Sequence, residues 1–186
     1  MTIDIALATT MAEILQAYPS AKVGLFQRYH IGGCLSCSYK PNDTLEEVRK
    51  NFDIKDSLEE MTNVICGSAD VFTSLHVSAP DLAAALRAKE KLHLLDVRTR
   101  AEYEIGHLAD ARLVTVELTF EILDSWPKDS RVVFTSNDGR RSLDKASYFR
   151  AYGLPNARTL TGGLAAWNAE IGHQPVPLPV GELSRA

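Results

Sequence analysis

The amino-acid sequence predicts an α/β domain, a mostly parallel sheet with helices on both sides, preceded by a small all-helical module. Three observations carry that prediction. From about residue 76 onward, short apolar runs alternate with helical stretches, an order that crossover connections convert into parallel strands. One run, Val132, Val133 and Phe134, is unbroken, as in a strand buried on both faces. Before residue 75, apolar residues recur at helical spacing behind Ser, Thr and Asp caps.

The distribution of charge and sulfur sets the boundary. Residues 1–75 hold ten acidic and six basic side chains and residues 76–186 hold fourteen of each, so the net charge of −4 belongs to the first part. All three cysteines, Cys34, Cys37 and Cys66, lie there too. We therefore expect a helical Cys-x-x-Cys module over 1–75 and the α/β domain over 76–186. The link, GSADVFTSLHVSAP, reads as small, turn-prone residues around a short extended stretch.

In the module, Thr9 or Thr10 caps a helix with Met11, Ile14, Leu15 and Tyr18 on one face, and Pro19 stops it. A second helix over 20–29 turns Val23, Leu25 and Phe26 inward. HIGGCLSCSYKPND follows as a loop in which Tyr29 and Tyr39 pack against the helices. Asp43 or Thr44 caps a third helix carrying Leu45, Val48 and Phe52, with Thr44 and Glu47 at capping-box spacing. A fourth helix through DSLEEMTNVI ends near Cys66, which reads as a buried helix-end cysteine.

In the second part, Pro80 marks the first turn of a helix over 81–90, and LHLLDV is a strand ending at Asp96 and Arg98. A short helix over 101–106, a strand ARLVTV and a helix over 117–126 come next. RVVFTS is the buried strand. The helix over 141–152 turns Leu143, Ala146, Phe149 and Tyr152 inward, NARTL is a last strand, and GGLAAWNAEI a last helix. The proline-rich tail after Gly172 is expected to be irregular.

A net charge of −4 and a pI near 5.7 create no field favouring nucleic acid or anionic lipid, so neither partner is expected. Three sparse cysteines do not make a secreted disulfide framework. The start, MTIDIALATTMAEILQAY, has no basic n-region and carries Asp4 and Glu13, which argues against a signal peptide or a membrane span. A cytoplasmic protein is the expectation.

LLDVRTRAEYEIGHLADARLV resembles the first half of the rhodanese, or sulfurtransferase, homology domain, with Asp96, Arg98, Glu102, Tyr103, Gly106 and His107 at its Asp-x-Arg, Glu-Tyr and Gly-His elements. RVVFTSNDGRRSLDKASYFRAYGLPNARTLTGGLAAW is similar to that family's active-site strand, loop and helix and to its closing glycines and tryptophan, here Gly162, Gly163 and Trp167. The likeness spans residues 76–172 and implies a rhodanese-like parallel sheet flanked by helices. It also implies that Asp96, Arg98 and His107 are structural.

The family's active loop has the form Cys-x-x-Gly-x-Arg-Ser, and aligning Gly139, Arg141 and Ser142 puts Ser136 at the place of the catalytic cysteine. A sulfurtransferase of that type stores sulfur as a cysteine persulfide and needs a thiolate, which a thiol of ordinary pKa about 8.5 yields and a serine hydroxyl does not. Thiosulfate or mercaptopyruvate sulfurtransferase activity is therefore not expected. The loop Ser136, Asn137, Asp138, Gly139, Arg140 and Arg141 follows a strand and opens a helix, so its amides can converge on an anion or a persulfide, or serve only to cap the helix.

MAEILQAYPSAKVGLFQRYHIGGCLSC and the following TLEEV resemble a small domain of unknown function that accompanies redox, iron-sulfur or hybrid-cluster-associated proteins, over residues 8–55. Cys34 and Cys37 have the spacing for a local disulfide, for dithiol or persulfide chemistry, or for two ligands of one metal centre. Arg28, His30 and Lys40 supply nearby positive character. Zinc or an iron-sulfur cluster needs further ligands. Cys66 can be the third and His30, a serine, a small molecule or a second subunit the fourth, and a homodimer with two Cys34–Cys37 pairs also closes the count.

The sequence reads as a sulfur- or redox-linked protein with a thiol, persulfide or redox protein partner. Two alternatives stay open: a non-enzymatic regulatory or interaction module, and dithiol-dependent sulfur transfer by Cys34 and Cys37.

Overall fold

The computed structural model describes residues 5, 8–32 and 38–172. The chain divides into two compact units, Met1–His76 with Ser147–Pro155, and Val77–Ala146 with Asn156–Ala186.

The first unit is helical. Helix α1 (Met11–Ala17) and α3 (Leu45–Asn51) each start in a full capping box, Thr10 with Glu13 and Thr44 with Glu47. Their amino ends also share backbone: Met11 and Ala12 N–H donate to the carbonyls of Asp43 and Pro41 at 2.8 and 2.9 Å, and Leu45 N–H donates to Thr9 at 3.3 Å. Helix α2 (Ala21–Tyr29) and α4 (Leu58–Cys66), capped by Ser57, complete the packing. Met11, Ile14, Leu25, Leu45, Val48, Met61 and Ile65 meet in one buried cluster. Helices of seven to nine residues are marginal alone, so this shared burial, on the order of 2 kcal/mol per side chain, holds them.

Residues 68–74, expected to be turn-prone, instead form helix α5 (Ser68–Ser74), because Gly67 keeps a helical φ of −79° and the buried Ser68 hydroxyl is satisfied locally. It lies 2.6 Å from the Ile65 carbonyl and 2.7 Å from Ser20 Oγ. A Cβ on Gly24 would stand 2.8 Å from Ser68 Cβ, so α2 and α5 approach more closely than a larger residue allows. Cys66 is exposed rather than buried, since the inward positions of α4 are Met61 and Ile65.

The second unit is built on a five-stranded sheet of order β1-β5-β4-β2-β3. In chain order the elements are β1 (His76–Val77), α6 (Ala79–Arg87), β2 (His93–Asp96), α7 (Arg100–Ile105), β3 (Arg112–Leu113) and α8 (Val116–Ser125), then β4 (Val132–Thr135), α9 (Arg140–Ala151), β5 (Ala157–Leu160) and α10 (Gly163–Glu170). Strand β2 pairs parallel with β3 and β4, and β4 with β5. Every residue of β4 is buried, as its unbroken apolar run requires. Leu82, Leu94, Val133, Leu160 and Trp167 form the core on one face.

Helix α9 begins in this unit, and from Ser147 its residues count with the first. Ala146 and Phe149 are buried, but Leu143 is half-buried and Tyr152 is exposed instead of inward. Tyr152 keeps helical spacing, its N–H donating to the Tyr148 carbonyl at 3.1 Å and its ring 4.6 Å from that of half-buried Tyr148, so it lines up with that residue and not with buried Ala146 and Phe149. The expected irregular tail lies outside the described residues. Among the described residues no helix is long and apolar enough to cross a membrane.

Candidate functional site

Register places the functional residues together. The pairing Asp96↔Thr135 brings the carboxyl ends of β2 and β4 side by side, so the loops leaving the two strands emerge at the same end of the sheet. Ser136 comes directly after β4 and is wholly buried. Its Oγ accepts hydrogen bonds from the N–H groups of Gly139, at 3.2 Å, and Ser142, at 3.3 Å, and lies 3.1 Å from Ser142 Oγ. Ser142 Oγ in turn lies 2.8 Å from Thr159 Oγ1 and 3.1 Å from the Gly139 carbonyl. Three buried hydroxyls thus form one chain through the loop.

The amino end of α10 closes the loop from outside. Leu164 and Ala165 N–H donate to the carbonyls of Ser136 and Asn137 at 2.8 and 3.0 Å. Gly163, at φ +61°, makes the approach possible: a Cβ there would stand 2.6 Å from Gly139 N and press on the Ser136 carbonyl. Three amides of the loop and the helix start are engaged by side chains of the loop itself. Gly139 and Ser142 serve Ser136, and Arg140 N–H donates to Asp138 Oδ1 at 3.0 Å. An anion in this loop would have to displace the Ser136 hydroxyl.

A second network braces the loop from β2. Asp96 is fully buried and holds Arg98 through Nε, at 3.0 and 3.1 Å, and through Nη2, at 2.8 Å. Arg98 Nη2 also reaches the Gly106 carbonyl, and Nη1 donates to Asn137 Oδ1 at 3.1 Å. Asn137 Nδ2 donates to Glu102 at 2.8 Å, and both terminal nitrogens of Arg141 bind the same carboxylate, at 2.6 and 3.1 Å. Arg141 and the Thr99 N–H and hydroxyl hold the Glu102 carboxyl far below the ordinary carboxylate range. Arg141 therefore points to Glu102, and the exposed Arg140 faces Asp138 at 3.4 Å.

His107 packs on Tyr103 beside this network. Its ring stacks on Tyr103 at 3.7 Å, its Nδ1 lies 2.9 Å from the Tyr103 carbonyl, and the Tyr103 hydroxyl donates to Ala111 at 2.6 Å. The Ser136 hydroxyl is engaged by Gly139 and Ser142, not by His107 or Asp96, so there is no serine-histidine-aspartate relay.

Glu102 as the hub, Thr159 as the end of the hydroxyl chain and Gly163 as the contact beneath the loop are roles that reading residues one at a time did not assign. Thr99 and Glu102 at capping-box spacing were the available signal for Glu102, and both cap bonds form in α7. Cys34 and Cys37 lie outside the described residues. Among the described residues no group of three His, Cys, Asp or Glu side chains is placed to hold a metal ion. His30 ends α2 in the left-handed region, φ 57°, with its ring against Tyr152 and Phe26 at centroid distances of 5.1 and 6.2 Å.

Residues 78–170 match the Rhodanese-like domain family. The chain belongs to that family. Among curated relatives, the Adenylyltransferase and sulfurtransferase UBA4 of Candida albicans is 26% identical over 170 residues, covering 83% of this chain, which spans only 36% of that protein. A Sulfurtransferase of Allochromatium vinosum is 31% identical over 91 residues, 49% of this chain and 85% of its own length. Among solved structures, a human single-domain sulfurtransferase, TSTD1, is 26% identical with a TM-score of 0.44 over 52% of this chain and 96% of its own. Ser136 lies within the span of this rhodanese-like domain, at the start of the loop that follows β4.

Proposed function

We propose that this is a sulfur- or redox-linked protein whose rhodanese-like domain recognises a sulfur-bearing or anionic partner group and does not itself carry sulfur. One observation supports the absence of sulfur carriage above the others: the residue at the expected nucleophile position is a buried serine whose Oγ accepts two loop amides, and a partner group recognised here would take over those amides from it. In a rhodanese-like loop the same amides stabilise a thiolate or its persulfide, and a hydroxyl in that place neither ionises near neutrality nor attacks sulfur. The sulfurtransferase names of several relatives support a sulfur-handling context for the reading.

The test is thiosulfate:cyanide sulfur transfer by the protein and by Ser136→Cys. No transfer above background is expected from the first and measurable transfer from the second. Transfer by the unaltered chain at the rate of the variant would sink the reading, and a folded but inert variant would mean that the surrounding loop has also lost its donor site.

A second reading puts the sulfur chemistry on Cys34 and Cys37, as a dithiol, a persulfide carrier or the ligands of zinc or an iron-sulfur cluster. The Cys-x-x-Cys spacing and the exposed Cys66 thiol favour it, and a homodimer would double the ligand count. Anaerobic isolation with iron, zinc and acid-labile sulfide analysis decides between its forms. A colourless, metal-free protein that still reduces a disulfide substrate would leave dithiol chemistry, and loss of metal in both Cys34→Ser and Cys37→Ser would favour the centre. A cytoplasmic setting, suggested by the sparse cysteines, fits either reading.

A further inference from the structure

We propose that the outer face of α8 is a docking surface for a protein segment that presents an apolar side chain between basic ones. Helix α8 has two apolar faces where a surface helix needs one. Leu118 and Ile122 face inward and are buried. Val116 and Phe120, one turn apart and therefore neighbours on the helix surface, are 67% and 68% exposed. A shallow groove lined by Phe120, Glu121, Leu123 and Asp124 continues this stripe along the helix. Single exposed apolar residues are ordinary, but an aromatic and a β-branched residue aligned beside a groove make a contiguous patch of the kind that binding covers.

Charge selects the occupant. Helix α8 carries Glu117, Glu121 and Asp124 and no lysine or arginine. Glu121 is engaged by the Trp126 indole N–H at 3.0 Å and by Arg112 at 3.7 Å, Asp124 accepts from the Ser125 hydroxyl at 3.1 Å, and Lys128 reaches the Leu123 carbonyl at 3.0 Å, so the carboxylates of Glu117, Glu121 and Asp124 outnumber the cations of Arg112 and Lys128 beside the stripe. An acidic border around an apolar centre repels anionic membranes and acidic peptides and attracts a basic amphipathic segment. The proposal does not rest on what the Ser136 loop does.

The experiment uses the full chain and two fluorescein-labelled synthetic amphipathic peptides with the same Leu and Phe positions, one flanked by Lys and one by Glu. The Lys peptide is expected to bind saturably and shift the backbone resonances of α8. Its affinity is expected to fall at least about tenfold in Phe120→Ser, several-fold in a Glu117→Lys, Asp124→Lys double variant, and further as salt is raised. Because these side chains point to solvent, the variants keep the parent circular-dichroism spectrum. Equal binding of the Glu peptide, unchanged affinity in Phe120→Ser, shifts confined to other elements, or no saturable binding would each overturn the proposal. So would sedimentation showing that Phe120→Ser abolishes a homodimer, which would make a second copy the occupant.

Discussion

The two ends of the same sheet are built on opposite plans. At the carboxyl ends of β2 and β4 a buried ion pair, a chain of three hydroxyls and two amides from α10 fill the space where α/β proteins commonly seat a ligand. At the amino ends of β4 and β5 there is instead an open cavity of about 480 Å³, lined by Leu82, Leu92, Val132 and Val133 below and by Asp129, Arg131 and Arg158 at its rim. The filled end is determined by geometry that tolerates little change, whereas the open end is bordered by solvated charge. The difference teaches that the order of the loop comes from hydrogen bonds to Ser136 itself and from the amino end of α10.

Substitutions should separate the two ends clearly. The largest effect is expected from Arg98→Ala, which leaves Asp96 buried without its cation and should cost about 3–5 kcal/mol in chemical unfolding. Gly163→Ala follows, at about 2–4 kcal/mol, because the added methyl meets Gly139 N and the left-handed backbone resists any side chain. A loss below about 1 kcal/mol in either variant would break the contrast.

The Glu102 network gives a pH signature at the same end. The folded carboxyl lies below its ordinary value of 4.5, so its contribution is fully present above that pH and is lost as pH falls through the folded value. Glu102→Gln should therefore lower stability at neutral pH and above and converge on the parent as pH falls towards 2, flattening the acid slope, read from unfolding midpoints between about pH 2 and 7. The smallest effect is expected at the open end. Arg158→Ala should change stability by no more than about 0.5 kcal/mol, since that side chain is exposed and makes no hydrogen bond or ion pair among the described residues. A large loss there would show the cavity rim to be structural.

The parallel sheet and its flanking helices were legible because burial on both faces leaves an unbroken apolar run, seen at Val132, Val133 and Phe134, and because Thr10, Thr44 and Pro80 punctuate helix starts. Helix α5 was not legible. GSAD has the composition of a turn, and the contacts that accompany its helix, the approach of Ser68 to Gly24 and its hydroxyl 2.7 Å from that of Ser20, 48 residues away, are tertiary. The exposure of Cys66 was misread for a related reason, since period alone does not say which side of a short helix its neighbours cover. In the loop, sequence identified the residue types at Ser136, Gly139 and Arg141. That the Arg141 charge is directed to Glu102, 39 residues distant, depends on tertiary contact alone.

Both tryptophans belong to the sheet-bearing unit, and their surroundings differ enough to make the protein its own optical reporter. Trp167 is buried in the apolar core, with no hydrogen-bond partner for its indole N–H among the described residues, so it should emit at the blue end of the indole range and respond when that core loosens. Trp126 is half-exposed, with its ring 4.2 Å from that of His93, whose burial and the nearby charges of Lys91 and Arg112 lower its pKa. An imidazolium quenches a neighbouring indole, so acidification below the ordinary histidine range should dim the redder emission first and leave the blue component as a separate record of the fold.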